Sequence, residues 1–222
     1  MRLTPEDHAL VTAAVTAAEA GTDGEIVTVV ARRSDAYHDA ALHWAVLAML
    51  LALALLATWP TPALWLQSMM ENPWTPAGPR ALFAAALVLI TLVFLIARVA
   101  LAWAPLRMAL TPGATKSRRV RRRALELFRT AAEKRTRAAT GVLIYLSLAE
   151  HRAELIADAA IHDKVPAETW GEAMAALVTE VKAGRPGAGM AAAVAQVGAV
   201  LAAHFPRSAG DTDELPDRLI EL

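Results

Sequence analysis

A single α/β domain interrupted by an inserted hairpin of two transmembrane helices is the fold class this sequence predicts, and three observations predict it. Two apolar stretches, each of the length needed to cross a bilayer, sit together in the middle of the chain. Short aliphatic runs with strand character lie on both sides of them, one before and two after. Neither group of strands makes a domain alone, because isolated strands leave backbone N–H and C=O groups unpaired, so the two flanks must combine.

The first flank opens with a helix. Thr4 is its expected N-cap, Pro5 takes the first helical position where a missing N–H costs nothing, and Glu6 and Asp7 complement the positive helix end. Leu10, Val11, Ala14, Val15 and Ala18 recur at helical spacing as one apolar stripe, and Gly21 is a natural stop. After the TDG turn, the β-branched run from Glu25 to Arg32 reads as a buried strand.

Ala40 to Trp59 contains no charged side chain, and Ala81 to Ala104 is interrupted only by Arg98. Each stretch matches the ~20 residues that a helix rising ~1.5 Å per residue needs to span a ~30 Å hydrocarbon core. Trp44, Trp59, Trp65, Trp74 and Trp103 lie in or beside these stretches, as expected of rings that prefer the headgroup region. Arg98 reads as a snorkelling residue that extends its guanidinium to the nearer interface. Pro60 to Arg80, with five prolines, reads as a turn that cannot continue a helix.

Lys and Arg asymmetry sets the expected orientation. Arg107, Lys116, Arg118, Arg119, Arg121, Arg122 and Arg123 follow the second stretch, Arg32 and Arg33 precede the first, and the intervening loop has only Arg80. The positive-inside rule then places both termini in the cytoplasm of a multi-pass protein of the inner (plasma) membrane. Residues 1–39 lack an apolar signal-like segment, so no cleavable signal is expected. The cluster Arg118, Arg119, Arg121, Arg122 and Arg123 suits anionic lipid headgroups at ~1 kcal/mol per charge, and its lack of interleaved aromatics argues against nucleic acid.

The second flank begins with that basic helix, read from about Ser117 to Arg137, with Val120, Ala124, Leu127, Phe128 and Ala131 on one face. Residues 142–148 form a strand with the continuous apolar pattern of an interior sheet position, and residues 153–158 a third strand paired to it as a hairpin. Two helices follow, Pro166 to Lys182 and about Ala188 to His204, separated by AGRPG. The acidic tail from residue 207 to 222 reads as mostly irregular. The chain thus divides into a split cytoplasmic domain at 1–39 and 105–206, a hairpin at 40–104 with spans at about 40–59 and 81–104, and the tail.

Composition agrees with this division. The chain is 56% apolar and 20% charged, against roughly 45–50% and about 25% for soluble domains. It has no cysteine, which excludes thiolate chemistry and any metal site built on Cys. Its formal net charge of zero averages a basic segment near 107–137 with an acidic C-terminal region.

The order of helix, EIVTVV strand, ALELF helix, TGVLIYLSLAEHRAELIAD hairpin, Trp-containing helix and final helix ending in HFP resembles the TPM-domain family. That family groups thylakoid phosphatase-like, photosystem II repair and receptor auxiliary proteins. The likeness extends to a bacterial membrane subgroup with GVLIY, an AEHR turn, IAD and a closing NELPD-like tail, here DELPD at Asp213 to Asp217. It covers about residues 1–35 and 115–217. The resemblance implies a three-layer α/β/α TPM-like domain around a small sheet, with divalent-metal binding and weak acid phosphatase activity in some members. Metal-binding members carry Asp or Asn just before the GVL strand, where this chain has Thr140, so Asp158, His162 and Asp163 are what remains of that pattern.

Asp158, Asp163 and Glu25 are the candidate metal ligands, meeting at one sheet end to hold Ca²⁺ or Mg²⁺ through oxygen. The alternative assigns them to a strand end, a solvated turn and a strand start. His151, between Glu150 and Arg152, reads as a turn residue, and Ser147 lacks a nucleophile-elbow context. With no phosphate-binding glycine loop, no nucleotide is expected. No cofactor is expected beyond a possible divalent cation. The expected role is a protein-interaction or accessory module at the cytoplasmic membrane face with the bilayer and a membrane protein as partners, and the alternative is a divalent-metal-dependent acid phosphatase.

Overall fold

Glu25–Ala31 forms strand β1, and all seven of its residues are buried, so its polar backbone must be paired on both edges. One edge pairs in parallel with β2 (Gly141–Ser147), Glu25 in register with Gly141 and Ala31 with Ser147. β2 then turns back as an antiparallel hairpin into β3 (Arg152–Ala157). The other edge of β1 takes a two-residue strand, β4 (Ile220–Glu221), opposite Val29 and Val30. The sheet is mixed and four-stranded in the order β3-β2-β1-β4. The structure, a computed structural model, describes residues 3–70, 74, 78–131, 140–208, 215 and 217–222.

The chain divides into two compact units, residues 1–35 with 113–222, and residues 36–112. In the first, the period-two alternation of the strands splits the core into two faces. Ile26, Val30, Val142, Ile144 and Leu146 pack against α1 (Pro5–Glu19), α8 (Gly171–Lys182) and α9 (Pro186–His204) through Val11, Val15, Leu177, Val194 and Val197. Val27, Val29, Leu143, Tyr145 and Ile156 face α6 (Gly113–Ala131) through Val120, Ala124 and Phe128. The result is helices on both faces of a sheet. Thr4 caps α1 as its sequence predicts, in a capping box with Asp7.

The second unit is helical: α2 (His38–Thr58), α3 (Thr61–Met70), α4 (Pro79–Ala100) and α5 (Ala104–Leu110). Ala41, Ala45, Ala63 and Ala85 are among its buried residues, with Tyr37 and Leu101, whereas Leu50, Leu51, Leu55, Phe83, Leu87, Ile96 and Val99 are exposed. The Trp44 indole N–H donates to the Leu110 carbonyl at 3.0 Å, tying α5 to α2.

Three helices among the described residues are long and apolar enough to cross a membrane: α2, α4 and α9. Burial separates them. Half of the apolar window of α9 is buried inside the protein, against 11% for α2 and 6% for α4. The apolarity of α9 is therefore spent on its own domain core.

Several elements differ from the sequence reading. The Pro60 to Arg80 connection contains α3, because Pro62 sits in its first turn where proline is tolerated and the following residues are good helix formers. The basic helix starts at Gly113, and residues 132–137 of its expected span lie outside the described residues. A short α7 (Ala159–His162) follows β3, and a 3₁₀ turn at Ala167–Trp170 precedes α8. The tail supplies β4, too short for any periodicity to reveal. Of DELPD, only Leu215 and Asp217 are described.

Close packing of α9 uses glycines, and Gly198 meets α1 backbone to Cβ. A Cβ on Gly198 of α9 would lie 2.5 Å from the Ala18 Cβ and 3.1 Å from its Cα. Gly198→Val is expected to destabilise the domain by about 1–3 kcal/mol, read as a lowered thermal midpoint. Gly171→Ala, where a Cβ meets nothing within 4 Å, is the control expected to leave it unchanged.

Candidate functional site

The N-terminal ends of β1 and β2 collect two of the three candidate carboxylates. Glu25 opens β1, is buried, and accepts from the Leu215 N–H at 3.3 Å. Asp158 follows β3, is buried, and accepts from the Gly141 N–H at 3.1 Å while its own N–H donates to the Gly141 carbonyl. Since Gly141 is the register partner of Glu25, the two acids share one sheet end. Asp163 is exposed at the C-cap of α7. Among the described residues, no group of three His, Asp or Glu side chains could hold a metal ion. Glu25 instead lines a recess of about 210 Å³ with Thr16, Glu19, Arg207 and Asp217. There Glu19 accepts from the Ile26 N–H at 2.7 Å.

The opposite sheet end carries a polar cluster that spacing alone did not single out. The Glu150 carboxylate accepts from the Ser34 N–H at 2.9 Å and from the Ser147 hydroxyl. The Ser34 and Tyr145 hydroxyls lie 2.9 Å apart. Burial pushes the Tyr145 phenol above its ordinary value, so it stays neutral. Asp35 then accepts from Arg119 at 2.7 Å and pairs with Arg122 at 3.4 Å. These contacts fix residues 34 and 35, the last of the first flank, to the hairpin turn and to α6. The signal in the sequence was the Ser147/Glu150 spacing across a tight turn, where His151 takes a positive φ of 49°.

The basic cluster is partly committed within the domain. Arg119 and Arg122 pair with Asp35, Arg122 and Arg123 with Glu126, and Arg121 with Glu154 at 3.7 Å, while Arg118 is exposed. In the helical unit, Trp44, Trp59, Trp65, Trp74 and Trp103 are all exposed, Trp74 by 90%. Arg98 lies in the last turn of α4, half-buried.

A groove of about 420 Å³ runs along the outer edge of β3. Arg121 and Leu125 of α6 form one wall, and Trp170, Gly171 and Met174 form the other. Its floor is Ala153 to Ala157, with His162 at one end. Burial raises the Glu154 carboxyl above the ordinary glutamate range, against the opposing pull of Arg121 and Arg152.

A family model described as the TPM domain matches residues 106–200. The chain contains a TPM domain. The match begins just before α6 and ends within α9, so β1 and α1 lie outside it, yet they pack into the same unit as the matched residues. No curated protein matches the chain by sequence. Its fold is similar to the NMR structure of the BA42 protein from the psychrophilic bacterium Bizionia argentinensis, with a TM-score of 0.58 and 18% identity. That likeness covers 100% of this chain and 97% of the other. It supports the mixed α/β fold of the TPM domain and says nothing further about chemistry.

Two measurements test this geometry. Glu150→Ala removes the acceptor of a buried hydroxyl and a backbone N–H, and is expected to lower stability by about 1–3 kcal/mol in denaturant unfolding, with Glu150→Gln costing less. For Glu154, the folded-state pKa lies above the unfolded one, so the folded form holds its proton longer. Its contribution to stability therefore falls as pH rises from about 4.3 through the raised value. Glu154→Gln is expected to melt at or above the wild-type temperature at pH 7, with any advantage gone below about pH 4.

Proposed function

We propose that this protein is an integral membrane protein in which α2 and α4 cross the bilayer and the TPM domain serves as a protein-interaction or accessory module at the cytoplasmic face. The observation that carries the reading is that almost none of two apolar helices of 21 and 22 residues is buried within the protein. At ~1.5 Å per residue they are about 31 and 33 Å long, the thickness of a hydrocarbon core. Exposing that much contiguous Leu, Val and Phe to water is costly, at about 25 cal/mol per Å².

Several features support the details. Exposed tryptophans flank the two helices, and no charged residue occurs from Ala40 to Met70. Cationic residues concentrate on α5 and α6 rather than in the loop, which favours a cytoplasmic domain in the plasma membrane. Arg118 and Arg121, exposed on α6, suit anionic headgroups. For the domain, an interaction role is favoured over metal-assisted phosphoryl transfer because Glu25 and Asp158 already accept backbone N–H bonds and Asp163 is exposed at the C-cap of α7.

The reading makes three demands. The chain is expected to resist alkaline extraction and float with membranes. A fluorescent-protein fusion at Leu222 is expected to fluoresce, and alkaline phosphatase inserted at residues 60–80 to be active; a periplasmic C-terminus overturns the orientation. Calcium or magnesium titration of the detergent-purified chain is expected to give no isotherm, and a saturable one lost in Asp158→Ala would replace the accessory reading with the phosphatase one.

A further inference from the structure

β3 is an edge of the sheet, and its register shows which backbone groups it leaves open. Leu148 N–H donates to Ala31 in β1, and Asp158 N–H donates to Gly141. With antiparallel alternation, residues 143, 145 and 147 bond to β3, so residues 152, 154 and 156 are the ones β3 turns toward β2. The N–H and C=O groups of Ala153, Leu155 and Ala157 therefore face outward. Among the described residues nothing pairs with them, and they form the floor of the 420 Å³ groove.

The walls decide what fits. α6 and α8 both pack on β3, so the open edge is recessed between two helices. A single extended segment can enter such a slot, whereas the edge of a second copy would bring its own Arg-rich α6 against this one. Length-wise the groove is chemically graded. Arg152 lies by the start of α6, its guanidinium 3.4 Å from where a Gly113 Cβ would sit, and Arg118, Arg121 and Leu125 follow at i, i+3 and i+7 along the helix. Glu154 is already paired with Arg121. Arg121 lines the groove beside Glu154, and Arg152 at the start of β3 and Arg118 one turn earlier on α6 adjoin that lining, so the end near the start of β3 is the basic one. Leu125, Trp170 and Met174 make the rest of the lining largely apolar, with His162 on α7 beyond Ala157, and along the floor small Ala153 and Ala157 leave room beside Leu155.

We propose that the β3 edge is a strand-addition site for an extended segment of a partner protein, with aliphatic residues at one end and carboxylates at the other. Main-chain hydrogen bonds to residues 153, 155 and 157 hold the segment, and the Arg end sets its register. This rests on the reading of the TPM domain as an interaction module and names the surface that does the work.

The probe is a fluorescent peptide with alternating valine and threonine in one half and glutamates in the other, titrated into the full chain in detergent. Saturable binding is expected, with slowed hydrogen exchange at Ala153, Leu155 and Ala157. Affinity is expected to fall at least tenfold for Arg121→Glu and for a peptide interrupted by proline. The proposal is overturned by absence of binding, by equal affinity for a lysine version of the peptide, or by unchanged exchange at those three amides under saturation. It is also overturned if the same amides are protected without peptide in a dimer seen by ultracentrifugation, since the occupant is then a second copy. Cross-linking in membranes separates this from the broader reading: a membrane protein captured equally by wild type and Arg121→Glu keeps the module and removes the groove.

Discussion

The parallel pairing of β1 with β2 is the constraint on which the rest of the molecule depends. β1 is buried along its whole length, so every N–H and C=O it carries must be matched inside the protein. Its main partner lies on the far side of a 77-residue helical unit, residues 36–112. A parallel pair needs a crossover connection in any case, usually an α-helix of a dozen residues or more, and here α6 supplies the return while the inserted unit precedes it. The insertion is therefore placed where the fold already required the chain to leave the sheet and come back.

The two ends of the sheet manage polar groups differently. At one end Glu25 and Asp158 accept from the backbone N–H groups of Leu215 and Gly141, so they fasten the tail and the start of β2. At the other, Glu150 and Asp35 gather Ser34, Ser147, Arg119 and Arg122 around the point where the first flank ends. At both ends the carboxylates are supplied with donors, which offsets the cost of taking them out of water.

Much of this was legible in the residues themselves. The run EIVTVV and the run VLIYLS have continuous burial as strands, and their near-continuous apolarity announced it. Thr4, Pro5 and Asp7 specified the start of α1 through local chemistry alone. What escaped was set by tertiary context. Two residues of β4 carry no periodicity, and they are strand only because Val29 and Val30 offer an open edge. α3 was masked by Pro60, just before it, and Pro62, in its first turn, both harmless there but together suggesting a loop. The Glu150 cluster draws together Ser34, just past β1, and Ser147 of β2, 113 positions apart, a distance at which no spacing rule operates. Candidate ligands fared likewise: residue type put Glu25, Asp158 and Asp163 on one list, but only geometry separated Asp163 from the other two.

The separation of β1 from β2 also sets a timetable. Glu25 meets Gly141, 116 residues further along the chain. At about 5–20 residues per second of synthesis, β1 waits roughly 6–23 s before its partner is made. During that interval a flat, β-branched segment is exposed with both edges open, while two of the most apolar helices in the chain emerge behind it. If α2 and α4 cross the bilayer as proposed, their delivery into lipid as they appear leaves the two flanks together on one side, so the order of synthesis and the order of assembly become the same sequence of events.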